Sequence, residues 1–224
     1  MKTILYKAAA PAYAVYKRVI ARLFFQQLIK RTGNFGHLNW MGQPIWQNVL
    51  DLWNIQEVIC RIKPRLLIET GTHRGGSAYF YGSLFDLLGQ GKVISVDVTN
   101  IHDISHPRVE FLTASSVSPD TVARMQSEVA KCGGPVLIIL DSDHSEAHVL
   151  RELEVYGPMV SPGSYVLVQD GVIDELTLFK EGRPGPVPAI QKYLRNHPEF
   201  EIDTNLCERF IISHHPNGWL RRKA

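Results

Sequence analysis

Between Leu66 and Ser77 the chain reads Leu-Leu-Ile-Glu-Thr-Gly-Thr-His-Arg-Gly-Gly-Ser, an apolar run that opens into a glycine-bearing loop. A helical pattern follows at once, with Ala78, Phe80, Leu84, Phe85 and Leu88 spaced for a buried face. The stretch predicts a buried strand, a tight turn and a helix, the corner from which an α/β nucleotide pocket is built. Glycine lets the backbone approach a ligand there, and free N–H groups at the helix start favour anionic or electron-rich groups. Counting from Gly71 the spacing is G-x-x-x-G-G, with His73 where a dinucleotide fingerprint has its second glycine. A pyrophosphate over this turn is therefore disfavoured. What remains is an acid at the first strand end, Glu69, and a second, Asp97, 28 residues on, after Val93-Ile94-Ser95-Val96. Asp97 is placed to accept hydrogen bonds from ribose hydroxyls, and Glu69 to face a cationic or amine-bearing ligand. Both suit S-adenosylmethionine; a plain strand-turn-helix corner with solvated acids is the alternative.

The same alternation continues along the chain. Strands are expected at 92–97, 109–112, 135–140 and 164–168, with a helix capped by Ser118-Pro119 and another burying Val149, Leu150 and Leu153. Residues 135–140 form a continuous apolar run, as a central parallel strand covered on both faces requires. Polar residues gather at the strand C-terminal ends, so the pattern gives an α/β fold with a doubly wound, mostly parallel sheet and ligands along that edge. A helix is expected over 44–62 with Pro44 in its first position, and another over 187–196. Residues 200–203 and 210–213 read as an antiparallel closing pair. Beyond Gly171 the period breaks, and residues 171–190 are expected to fold over the pocket as a lid.

At 224 residues the chain holds one sizeable core, taken as residues 41–224, behind an N-terminal helical extension, 1–40. Residues 8–29 are rather apolar but are interrupted by Lys17, Arg18 and Arg22, so they form neither a membrane span nor a signal peptide. They read as a basic amphipathic helix with Val15, Val19, Leu23 and Leu28 near one face. Two uses stay open: packing on the domain or on a second subunit, or lying on an anionic membrane surface. A formal charge of +2 gives no reason to expect a nucleic-acid partner. Cys60, Cys132 and Cys207 have no metal or redox spacing, so reduced thiols in a cytoplasmic protein are expected.

The densest chemistry lies at Asp141-Ser142-Asp143-His144-Ser145 and Gln169-Asp170-Gly171, two neighbouring strand tips. Their oxygen donors suit a divalent cation such as Mg²⁺, which could hold a vicinal diol and lower the pKa of one hydroxyl. His144 could take that proton. The competing use of Asp141 or Asp143 is to cap the following helix. His144 and His148 share a helix face, but no third nitrogen or sulfur ligand has zinc spacing. No G-x-S-x-G elbow is present to support a hydrolase triad.

Together Trp40-Met41-Gly42-Gln43-Pro44, Asp51-Leu52-Trp53 with Gln56-Glu57, the 68–77 loop, Leu140-Asp141-Ser142-Asp143-His144-Ser145 and Pro216-Asn217-Gly218-Trp219-Leu220-Arg221-Arg222 resemble the cephalosporin hydroxylase family over residues 38–222. That family includes rhamnosyl and macrolide-sugar O-methyltransferases. The resemblance implies a class I methyltransferase fold with a seven-stranded Rossmann-like sheet, S-adenosylmethionine as donor, Mg²⁺ dependence, a small-molecule or glycoside acceptor and a homo-oligomer. By position it implies that Glu69, Gly71, Thr72, His73, Gly75 and Ser77 surround the methionine side of the cofactor, Asp97 the ribose and Ser115 the adenine. Asp141 and Asp170 would be metal ligands, with Asp143 an alternative, and His144 the general base. Relatives carry an acid where this chain has Gln169; an amide oxygen still ligates Mg²⁺, more weakly. A hydroxylase component, a nicotinamide-using oxidoreductase and a catalytically silent partner subunit are the competing functions.

Overall fold

The computed structural model describes residues 2–224, with side chains from residue 12 onward. Seven strands form one sheet: β1 Leu66–Thr70, β2 Lys92–Asp97, β3 Val109–Thr113, β4 Val136–Leu140, β5 Tyr165–Val168, β6 Phe200–Ile202 and β7 Trp219–Arg222. Their spatial order is β3-β2-β1-β4-β5-β7-β6, in which the first five are parallel and β7 runs antiparallel to both its neighbours. The order reverses direction between β1 and β4, which is where an open α/β sheet leaves a crevice at its C-terminal edge. Register sets what lies there. Thr70 pairs with Val96 on one side and Leu140 on the other, and Leu140 pairs with Val168, so the residues at or just past these ends include Gly71, Asp97, Asp141 and Gln169.

Alternating side chains divide the core between two faces. Leu66, Ile68, Ile94 and Ile138 point to one face, where α4 Pro119–Cys132, α5 Glu146–Tyr156 and α7 Pro186–Asn196 supply Met125, Leu153 and Ile190. Leu67, Val93, Leu137 and Ile139 point to the other, against Ile55 and Ile59 of α2 Val49–Ile62 and Phe85 of α3 Gly76–Leu88. Each fully buried aliphatic side chain contributes about 1.5–3 kcal/mol relative to exposure. As expected, Ser118 caps α4: its Oγ accepts from Thr121 N at 3.3 Å, and Pro119 opens the helix.

The structure corrects the sequence reading in two places. The helix expected over 44–62 begins at Val49, because Asn48 caps it by accepting from Leu50 N at 3.1 Å. Gln43–Pro44 instead pairs with Asn39–Trp40 in a small hairpin, and the chain then bends at residue 47, burying Ile45, Gln47 and Asn48 while Trp46 stays exposed. The strand expected over 210–213 is absent. Asp203 caps a short helix, α8 Thr204–Glu208, and Ile211 adopts φ 66°, which no strand accommodates. Trp219–Arg222 takes the closing place because Trp219 and Leu220 both bury their side chains there.

In the N-terminal extension the structure shows which side of the expected helix meets the domain. A long helix does form, α1 Lys2–Phe25, continuing as a π-helical turn over Gln26–Arg31. Val15, Val19 and Leu23 do not pack on the domain, however; they face outward at 63%, 51% and 56% exposure. Contact is made from the opposite side, where Phe25 buries fully against Val172 and Leu176, helped by Ala21, Phe24 and Ile29. Val172 belongs to α6 Val172–Glu175, the first part of the segment after β5. No helix among the described residues is long and apolar enough to cross a membrane. All three cysteines are free thiols, with Cys60 exposed on α2.

Candidate active site

At the sheet edge β1 and β4 approach so closely that a Cβ on Gly71 would overlap the Asp141 carbonyl oxygen, and Gly71 adopts φ 89°. Glycine is thus required here by the neighbouring strand as well as by the turn. Gly71 N donates to Val96 O at 2.8 Å and Asp141 N to Thr70 O at 2.9 Å, which ties the tips of β2, β1 and β4 together. Beside them opens a cavity of about 520 Å³ lined by Gly71, His73, Asp97 and Ser115 together with Asp141, His144 and Asp170.

Asp97 is held by a set of donors. Its Oδ2 accepts from His73 N at 2.9 Å, and its Oδ1 accepts from Thr99 N at 2.9 Å and Thr99 Oγ1 at 3.0 Å. Burial alone would push its pKa up, but the hydrogen bonds from His73 and Thr99 together outweigh it and hold the carboxyl below its usual range. His73 sits in the left-handed region at φ 46°, and its ring lies 4.6 Å from that of Trp46, which also lines the cavity.

Other residues of the loop lie behind the cavity wall. Glu69 is fully buried; its Oε2 accepts from Ser95 Oγ at 2.6 Å while Oε1 has no partner. Burial raises its pKa to about 7 against the opposing hydrogen bonds of Ser77 and Ser95. Thr72 shares a 2.7 Å hydrogen bond with Ser95, and Ser77 is buried beside Glu69. Gly75, at φ 76°, faces the Ile104 and Phe111 side chains. The structure therefore brings Gly71, His73, Asp97 and Ser115 to the cavity and sets Glu69, Thr72, Gly75 and Ser77 in the layer beneath.

In the same cavity Asp141, His144 and Asp170 each offer a ligand atom, all within 4.8 Å of one another. His144 Nε2 is 3.2 Å from Asp170 Oδ2 and 4.0 Å from Asp141 Oδ1. Burial, followed by the charge of Asp170, pushes the Asp141 pKa well above the usual carboxylate range. A divalent cation would relieve both penalties, so this donor set fits one. Asp143 borders the cavity but stands outside that group; its Oδ1 accepts from Ser145 N at 2.8 Å in the turn leading into α5. Gln169 is buried, and its Oε1 accepts from Gln47 Nε2 at 2.8 Å. The same Gln47 nitrogen donates to Asp141 Oδ2 at 2.8 Å. His148 turns to the buried Glu152, 3.3 Å away, rather than joining His144.

A supporting layer escaped the sequence reading. Asp170 adopts φ 56°, and its N–H donates to Nδ1 of the fully buried His215 at 3.1 Å. Asp51 on α2 anchors the same turn, accepting from Ser213 Oγ at 2.6 Å and from His214 N at 2.8 Å. The one available signal was Asp51 itself, a charged residue inside the apolar period of α2.

Residues 33–223 match the family described as rhamnosyl O-methyltransferase/CmcI. The rhamnosyl O-methyltransferase of Mycobacterium tuberculosis strain H37Rv is 35% identical over 201 residues, 84% of this chain and 81% of that protein. Its counterpart in Mycobacterium leprae is 33% identical over 199 residues, covering 85% and 86%. Among solved structures, one of CmcI with Mg and S-adenosylmethionine superposes with a TM-score of 0.67 at 18% identity, covering 85% of this chain and 78% of that one. MycE, from mycinamycin biosynthesis, gives 0.52 at 17% identity over 76% of this chain and 48% of its own.

Proposed function

The chain belongs to the rhamnosyl O-methyltransferase/CmcI family, and on that premise we propose that it is an S-adenosylmethionine-dependent enzyme methylating a sugar hydroxyl on a glycoside, secondary metabolite or glycolipid. The observation that carries this reading is that the Asp141–His144–Asp170 group lines the same cavity as Asp97 and Ser115. Relatives of the fold bind Mg with S-adenosylmethionine or its product, as CmcI and MycE do, which supports the same pair of ligands here.

In this reading Asp97 accepts from the ribose hydroxyls, Ser115 stands by the adenine, and the Gly71–His73 backbone lies along the methionine chain. Asp141 and Asp170 would hold the cation, with Gln169 as a neutral neighbour. A bound divalent ion supplies charge that makes the acceptor hydroxyl easier to deprotonate. His144, whose imidazole nitrogen borders the same space, accepts that proton. The acceptor oxygen then attacks the methyl carbon; the new O–C bond forms as the C–S bond breaks, leaving a methyl ether and S-adenosylhomocysteine. Alignment of oxygen, methyl and sulfur is the protein's main contribution.

A hydroxylase component or nicotinamide-using oxidoreductase is not favoured by a family of O-methyltransferases. Gln169, which suggested a silent partner subunit, is engaged by Gln47 and leaves the Asp141–His144–Asp170 group intact. We further read the part of the expected lid before α7, residues 171–185, as a lid, since 186–190 pack on the sheet in α7, the enzyme as homo-oligomeric, and its compartment as cytoplasmic, the last supported by three free thiols. The test is incubation of purified protein with radiolabelled S-adenosylmethionine and candidate glycosides, with and without chelator. Transfer to a sugar that chelator abolishes is expected; absence of any cofactor binding overturns the reading.

A further inference from the structure

Helix α1 uses one side for packing and leaves the other bare. Inward, Phe25 is fully buried and Lys17 Nζ pairs with Glu208 at 2.7 Å. Outward, Val15, Val19 and Leu23 repeat at every fourth residue with Tyr16 and Tyr13 alongside, all between 44% and 63% exposed. Arg18 and Arg22 are exposed along one flank of that stripe. Within the segment itself the charge is of one sign, since residues 1–50 contain seven lysines and arginines and no aspartate or glutamate, while Glu175 and Glu208 of the domain meet its inward side at Lys17 and Arg18.

We propose that the outer face of α1 docks this protein on an anionic lipid bilayer, lying in the plane of the interface. Each part of the stripe matches that partner. Aliphatic side chains enter the boundary between headgroups and acyl chains, the tyrosines suit the same depth, and the arginines meet lipid phosphates. No described helix is long and apolar enough to span, which leaves the surface as the mode of contact. A second copy of the chain is the poorer occupant, since pairing two such faces sets one cationic segment against another without an acid in residues 1–50 of either. The docked helix would also sit beside the site, because Phe25 stacks on His214 at 4.5 Å and packs on Val172, two residues past Asp170. The docking surface itself stands on α1 and not on the methyl-transfer reading.

The test is co-sedimentation of the full chain with vesicles of phosphatidylcholine alone and of phosphatidylcholine mixed with phosphatidylglycerol. The expected result is binding to the mixed vesicles, weakened by added salt. The double variant Val19→Asp with Leu23→Asp should lose binding by roughly tenfold or more. Arg18→Glu with Arg22→Glu should lose it comparably at low salt. Val19 and Leu23 are solvent-exposed, so circular dichroism and cofactor binding of the aliphatic variant should match the wild type; Arg18 borders Glu175, so the arginine pair is read against Arg22→Glu alone. Failure of the wild type to bind mixed vesicles, or undiminished binding by the aliphatic double variant, overturns the proposal. So does sedimentation velocity in which that variant splits a wild-type oligomer, since the face would then belong to a second copy.

Discussion

Replacing His215 with alanine should weaken metal binding through a residue that touches no metal. Asp170 is kept in the left-handed region, φ 56°, by three links to the turn after Ser213. Its own N–H donates to His215 Nδ1 at 3.1 Å; on either side, Val168 N donates to Gly218 O at 2.9 Å and Val172 N to His214 O at 3.0 Å. Because Nδ1 accepts, the ring proton sits on Nε2, 3.8 Å from Asp51 Oδ2. Truncation removes the central link and leaves a half-buried N–H without its partner, which costs about 1–3 kcal/mol. The left-handed conformation, itself disfavoured by about 1–2 kcal/mol, then loses its main support. Relaxation of Asp170 by that amount should weaken divalent-ion binding roughly 5- to 30-fold, while the lost imidazole lowers the melting temperature. Calorimetric titration with Mg²⁺ or Mn²⁺, at a temperature where the variant is folded, reads the first effect. His215→Gln, which can still accept from Asp170, should recover most of the affinity. A folded alanine variant with wild-type metal affinity would refute the positioning argument.

Other substitutions test neighbouring parts of the site. Gly71→Ala should destabilise by about 2 kcal/mol or more, since the methyl group meets the Asp141 carbonyl and the backbone is left-handed, and should weaken cofactor binding together with stability; a thermal melt like the wild type's would contradict this. Glu69→Gln tests pH dependence. Its folded pKa, about 7, lies above the ordinary glutamate value of 4.5, so the unfolded chain ionises first and the wild type loses stability as pH rises between those values. The loss should total on the order of 3 kcal/mol, and glutamine does not titrate. The variant's advantage in melting temperature should therefore grow from about pH 5 to about pH 8; a pH-independent difference would show that Glu69 is not held protonated.

Much of this was legible in the sequence because it is written locally. The switch from an apolar run to a helical period at 66–88 marks β1 and α3 without outside help, and the Ser118-Pro119 cap marks α4 in the same way. Strand-end acids found the cavity because a parallel sheet delivers strand tips to one edge. Short elements failed: Asn39–Trp40 with Gln43–Pro44, and Thr204–Glu208, are too brief to show a period and are set by tertiary contacts. The use of α1 stayed open because an apolar stripe declares amphipathicity but not which side meets the protein, and Phe25 decides that side. Glu69 illustrates a different limit. Its position at the end of β1 is readable, yet whether the carboxylate enters the cavity or turns to Ser95 depends on side-chain placement. Asp51 and His215 were invisible as a pair because α2 and the C-terminal turn meet only in the folded chain.

The most direct measurement is a calorimetric titration of S-adenosylmethionine into the wild type and Asp97→Ala. The account expects saturable one-site binding by the wild type. It expects a loss of roughly 10- to 100-fold in the variant, the worth of charge-assisted hydrogen bonds to one carboxylate. No binding by the wild type, or equal binding by both proteins, would contradict it.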